Sequence, residues 1–107
     1  MLKAYSNFDF EVGYCQGLNY IAALLILKLN DEQDAFWSMV YLLMGPHNWR
    51  DIFNEKTTKL VTLLDELEFK LKKQSPKVLT HIKDTTQLDL AAAFSSLIIT
   101  LCIYDLP

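Results

Sequence analysis

Three features of the sequence predict an all-α fold. Apolar residues recur at three- and four-residue spacing through most of the chain. Only three Gly and three Pro serve 107 residues, too few for the tight turns of a small all-β domain. Hydrophobic residues make up 51% of the chain, enough for a packed core and too many for intrinsic disorder.

The elements follow in order, about five helices in one domain. From Tyr14 to Leu29, the residues Leu18, Ile21, Ala22, Leu25 and Leu29 fall on one stripe. Tyr20, Leu24 and Leu27 cover much of the rest, so this helix is expected to be central and buried on most sides. Asn30 or Asp31 caps the next helix, and Asp31, Glu32 and Asp34 crowd its first turn, where the helix dipole favours negative charge. Phe36, Met39, Val40 and Leu43 form its inner stripe, with Trp37, Tyr41 and Met44 beside it, and Gly45-Pro46 stops it. His47 to Lys56 reads as a loop.

A third helix, Thr57 to Lys73, turns Leu60, Leu63, Leu64, Leu67 and Leu71 inward. Its outer face pairs Glu66 with Lys70 and Glu68 with Lys72, acid first. Ser75-Pro76 opens a short helix through Lys83. After a polar connection, Asp84 to Asp89, the last helix runs from Leu90 to Tyr104 and is apolar on nearly every face. The half-polar stretch Leu2 to Glu11 receives no element.

Composition excludes several functions. A net charge of -3 argues against nucleic acid as a partner, which demands a concentrated basic surface. Cys15 and Cys102 make neither a disulfide framework nor a zinc site, so a reducing, cytoplasmic setting is expected. The apolar runs Tyr20–Leu27 and Leu90–Tyr104 fall short of the ~20 residues of a membrane-spanning helix, and no basic-then-apolar leader opens the chain.

Candidate chemistry thins out on inspection. Cys15 with His47 or His81 lacks a third, orienting residue for a thiol nucleophile. Asp31, Glu32, Asp34 and His47 lack metal-ligand spacing, and no cofactor or metal is expected. Lys70, Lys72 and Lys73 alternate with Asp65, Glu66 and Glu68, as on a solvated helix face. Arg50, the chain's sole arginine, reads as an isolated surface residue beside Trp49.

One segment, Glu11-Val12-Gly13-Tyr14-Cys15-Gln16-Gly17-Leu18-Asn19, resists the structural explanation. Gly13 and Gly17 flank an aromatic and an amide where the first helix begins, although glycine inside a helix costs up to ~1 kcal/mol relative to alanine. That choice is understandable where another backbone or a partner's loop approaches closely. Gln16, Asn19 and Tyr20, spaced three and four apart, are expected on one face of the first turn. There the unpaired N–H groups and the positive dipole end suit phosphate chemistry. A buried glutamine satisfied by nearby loops would leave a similar pattern.

Leu2-Lys3-Ala4-Tyr5-Ser6 and then Glu11 through Ala23 closely resemble the glutamine-finger motif of the TBC family, the GTPase-activating domains for Rab GTPases. Ala35-Phe36-Trp37 after an acidic turn, Pro76-Lys77-Val78-Leu79-Thr80-His81-Ile82, and the final Leu106-Pro107 extend the resemblance over nearly the whole chain. It implies an all-α fold and an activator, not an enzyme in its own right, whose partner is a GTP-bound Rab in vesicle trafficking. The expected location is cytoplasmic, with peripheral association at endomembranes.

TBC domains supply an arginine and a glutamine in trans, and the glutamine replaces the GTPase's own. Gln16 would be that glutamine finger, Tyr14 would support its backbone, Gly17 would allow close contact with the partner, and Asn19 joins them as a partner-binding candidate. The family's arginine-finger motif, I-x-x-D-x-x-R, does not occur in these residues, and Arg50 lies downstream of Gln16, out of its order. Ser96-Leu97-Ile98-Ile99 stands where the family usually has Gln-Trp-Phe-Leu. The resemblance thus implies a partial domain over residues 1–107, without the arginine-finger region and the C-terminal part, and little activity alone. A non-catalytic module that binds a Rab or another partner is the alternative.

Overall fold

Helical spacing becomes helix wherever the chain has a stripe to bury, and the two glycines near residue 15 decide where the central helix starts. A computed structural model describes residues 1–54, 58–85 and 89–105. Among these, six α-helices are found: α1 (Leu2–Phe8), α2 (Leu18–Leu29), α3 (Glu32–Met44), α4 (Thr58–Gln74), α5 (Pro76–Thr80) and α6 (Leu90–Ile99). A 3₁₀ turn spans Trp49–Phe53, a π-turn His81–Thr85, and a second 3₁₀ turn Ile103–Asp105. The Leu106-Pro107 part of the family resemblance lies outside the described residues.

The core is small and lies where α1, α2 and α3 meet. Tyr5, Leu18, Ala22, Met39 and Leu43 form one buried cluster, with Leu25, Phe36, Val40, Trp49 and Phe53 packed against it. α3 follows the sequence reading closely. Asp31 accepts the Asp34 N–H at 2.8 Å through its side chain, satisfying one of the unpaired donors at the helix start.

Four sequence expectations about α1, α2 and α6 are corrected. Leu2–Phe8 is helical, a short element held by Tyr5 in the core rather than by its own propensity. α2 begins at Leu18 instead of Tyr14, because Gly13 (φ +63°) and Gly17 (φ +108°) take left-handed backbone that no α-helix accommodates. Burial along α2 is confined to its first half: Leu18, Ile21 and Ala22 are buried, whereas Leu27 is 80% exposed. The fourth concerns the last helix, which stops at Ile99 instead of continuing to Tyr104.

That stop has a local cause. The Thr100 hydroxyl donates to the Ser96 carbonyl at 2.8 Å alongside the Thr100 N–H at 3.0 Å, and it accepts the Tyr104 N–H at 3.3 Å, so the next donor goes to a side chain. Leu101 and Cys102 then adopt positive φ of 53° and 64°. Cys102 N–H reaches back to the Leu97 carbonyl at 2.6 Å. The turn brings Tyr104 edge-on to Tyr20, ring centroids 5.2 Å apart. On α4, Glu68 pairs across to Lys83 and not with Lys72 as its spacing suggested.

Candidate functional site

The loop from Asp9 to Gly17 joins α1 to α2 and has no helical ladder of its own, so its shape depends on side chains. Asp9, only 4% exposed, organises it. Its carboxylate accepts the Tyr5 hydroxyl at 3.1 Å and the Val12 N–H at 3.5 Å. Its backbone carbonyl accepts the Gly13 N–H at 2.7 Å. Arg50, reaching from the 3₁₀ turn 41 residues away, donates Nε to Oδ2 at 2.6 Å and Nη2 to Oδ1 at 2.8 Å. Nη2 also meets Glu11. The fork of a guanidinium matches two carboxylate oxygens, which an ammonium does not.

Arg50 is therefore not the isolated surface arginine expected from its position. Its guanidinium is committed to Asp9 and Glu11. The bonds from Arg50 hold the Asp9 carboxyl below the usual carboxylate range, against the opposing effect of burial. Arg50 is pushed up by the same contact, and burial raises the Tyr5 hydroxyl, with Asp9 adding to it.

A depressed folded-state value stabilises the protein above the unfolded carboxylate pKa, about 3.9, and that contribution is lost as pH falls through the folded value. Asp9→Asn is accordingly expected to flatten the acid side of the stability profile between about pH 5 and pH 2. Urea titrations across that range would measure it, and a slope as steep as that of the parent chain would contradict the assignment.

Farther along the loop, the Cys15 thiol lies 3.6 Å from the Val12 carbonyl and 3.9 Å from that of Phe53. Burial pushes this thiol up, with Asp9 contributing. The loop is thus fastened to the 3₁₀ turn at Arg50 and at Phe53. Gln16 follows, exposed, with no hydrogen bond to its side chain among the described residues. It lines an open groove of about 540 Å³ together with Gly17, Tyr20, Ser96, Thr100 and Tyr104. The groove wall is rich in hydroxyls, and a free amide both donates and accepts hydrogen bonds. Being neutral, it can orient a water or bridge two polar atoms but supplies no positive charge.

The other candidates have distinct places. Tyr14 is 58% exposed. Asn19 turns inward, its Oδ1 accepting the Gly17 N–H at 3.2 Å. Gln16, Asn19 and Tyr20 do not share a first helical turn, since Gln16 precedes the helix, yet Gln16 and Tyr20 border the same groove.

Gly17 is buried, and a Cβ there would lie 2.5 Å from the Ile99 Cγ2. The strained backbone and the clash together make Gly17→Ala destabilising by about 2–4 kcal/mol. A urea midpoint unchanged from the parent would show that α6 does not seat against this glycine.

Sequence reasoning missed Asp9, Arg50 and Ile99. Asp9 stands four residues after Tyr5, a spacing that puts the two on one helical face. Nothing local announces a partner 41 positions downstream. Among the described residues no cluster of three or more His, Cys, Asp or Glu could hold a metal ion, and no helix is long and apolar enough to cross a membrane.

Comparison with known proteins concerns the chain as a whole. The model of the Rab-GTPase-TBC domain matches residues 1–107. The chain is 34% identical over 107 residues to the Rab GTPase-activating protein eat-17 of Caenorhabditis elegans, covering all of this chain and 12% of that protein. It is 37% identical over 82 residues to the GTPase-activating protein GYP5 of Eremothecium gossypii, covering 77% of this chain and 10% of that one. The chain therefore spans a small part of the relatives it matches. No solved structure matches it.

Proposed function

The chain belongs to the Rab-GTPase-TBC domain family, and we propose that it contributes the glutamine finger of a GTPase-activating domain for a Rab-type GTPase in its GTP-bound form. The observation that carries this reading is the exposure of Gln16, within a Gly-Tyr-Cys-Gln-Gly stretch that resembles the family's motif, at the edge of an open, hydroxyl-bearing groove. A glutamine serving only as a core residue would be buried and hydrogen-bonded.

In GTP hydrolysis a water attacks the γ-phosphate while negative charge builds on the phosphoryl and leaving oxygens. The protein's task is positioning and electrostatic stabilisation. Inserted beside the nucleotide, the Gln16 amide would accept a hydrogen bond from the attacking water through its oxygen and donate to a nearby acceptor through its nitrogen. Tyr14 contacts the GTPase from the exposed side of the loop. Gly17 and Asn19 keep the loop close to α6, which lets the Gln16 backbone approach the partner without a bulky neighbour.

An arginine finger is worth about 10³–10⁵ in rate, or roughly 4–7 kcal/mol of barrier. Arg50 is held by Asp9 and Glu11 and does not serve as one. The 107 residues by themselves are thus expected to give little stimulation. The engagement of Arg50 by Asp9 and Glu11 is also what favours the second reading, a module that binds a Rab without accelerating hydrolysis.

Single-turnover GTP hydrolysis by a panel of Rabs separates the two. The chain is tested alone and grafted in place of the matching stretch of the Caenorhabditis elegans relative, which restores the flanking regions. Stimulation by the graft with at least one Rab supports activation. Binding to a GTP-loaded Rab with no rate increase in the graft would favour the binding module.

A further inference from the structure

We propose that Asp9 and Arg50 are positioning residues for Gln16, forming a cross-chain brace that holds the glutamine loop in the geometry it needs at the GTPase. This rests on the reading of Gln16 as the residue inserted beside the nucleotide. The loop between α1 and α2 exposes Phe10, Glu11, Tyr14 and Gln16, so apart from Cys15 against the core and Gly17 against Ile99 apolar burial does little to hold it. Two left-handed glycines, Gly13 and Gly17, give it backbone freedom on either side of Gln16.

Against that freedom stands one cluster of fixed contacts. Arg50 spans both oxygens of Asp9 and reaches Glu11, while Asp9 in turn fixes Val12 and Gly13. Cys15, next to Gln16, is tied to Val12 and to Phe53 of the same 3₁₀ turn that carries Arg50. Order is thus transmitted from Arg50 through Asp9, Val12 and Cys15 to the residue before the finger.

Precision at that point matters because a misplacement of about 1 Å at a reacting centre can cost about 10²-fold in rate. Arg50→Lys keeps the charge but loses the fork that grips both Asp9 oxygens. Asp9→Asn keeps the shape and loses the ion pair. Neither change touches the groove surface around Gln16.

The first test uses the chain itself with Cys102→Ser, so that Cys15 alone reports on the loop. Arg50→Lys and Asp9→Asn should raise the labelling rate of Cys15 by a small alkylating reagent about 10-fold or more at a temperature where circular dichroism shows the helices intact. This expectation follows from local opening of a segment held by few contacts. An unchanged labelling rate would overturn the brace.

The second test is a double-mutant cycle in the Rab hydrolysis assay with the grafted chain. Arg50→Lys should lower kcat about 10²-fold with KM nearly constant, and should add nothing further in a Gln16→Ala background. Fully additive losses would mean that Arg50 supports the fold and not the finger. If Gln16→Ala alone leaves the rate unchanged, the glutamine-finger reading itself fails, and the catalytic role of the brace falls with it whatever the labelling shows.

Discussion

In the grafted chain, Gln16→Ala is expected to lower the stimulated rate of Rab GTP hydrolysis about 10²–10³-fold, the usual cost of removing one group that positions or stabilises a reacting centre. Stability should hardly change. The side chain is exposed and has no hydrogen bond among the described residues, and substitutions at such positions usually stay within about 0.5 kcal/mol. Single-turnover hydrolysis beside thermal unfolding of the same preparations reads both. Gln16→Glu sharpens the test, because it preserves shape while placing a negative charge near a polyphosphate. It should be no better than alanine. A variant that hydrolyses normally would remove Gln16 from the mechanism, and one that loses Rab binding while retaining the bound-state rate would assign it to docking.

A second large effect is expected at Arg50, and it falls on stability. Arg50→Ala would leave the Asp9 carboxylate, 4% exposed, without its charge partner. Removing one member of a buried pair typically costs about 3–5 kcal/mol, a large share of the 5–15 kcal/mol that holds a typical domain together. Tyr5 and Val12 would still donate to Asp9, but neither neutralises it. Removing both partners together, as Asp9→Leu with Arg50→Met, should cost less than Arg50→Ala, because no buried charge is left behind. Urea unfolding of the single and double variants measures the difference. A loss below about 1 kcal/mol for Arg50→Ala would place this pair with ordinary surface ion pairs.

The parts of the fold that were legible in the sequence share one property: their determinants are local. α3 has its cap, its acidic first turn, its apolar stripe and its glycine stop all between Asp31 and Gly45, and it appears where these signals place it. α4 carries its leucines at helical spacing, and α5 its Ser-Pro start. Periodicity alone overran the chain at two places where backbone conformation decides. At Gly13 and Gly17 the apolar pattern continues backwards to Tyr14, while positive φ forbids the helix. After Thr100 the pattern continues forwards to Tyr104, while positive φ at Leu101 and Cys102 forbids the helix.

The site divides along the same line. Gln16 stood out because an amide flanked by glycines is an unusual choice at the start of an otherwise apolar helix, and the family resemblance gave it a role. Asp9 and Arg50 did not, because the partner of a lone arginine is set by the packing of a 3₁₀ turn against a loop 41 residues earlier. No spacing rule carries that information. The same holds for Ile99, whose methyl group occupies the space that makes Gly17 necessary.

The central claim is that Gln16 acts in trans in place of the GTPase's own glutamine, and one measurement addresses it most directly. A responsive Rab whose own catalytic glutamine has been replaced by alanine is assayed with the grafted chain carrying either Gln16 or Gln16→Ala. Stimulation that survives the loss of the Rab glutamine and disappears with Gln16→Ala is the predicted result. A Rab that becomes refractory once its own glutamine is gone, with Gln16 still present, would contradict the account.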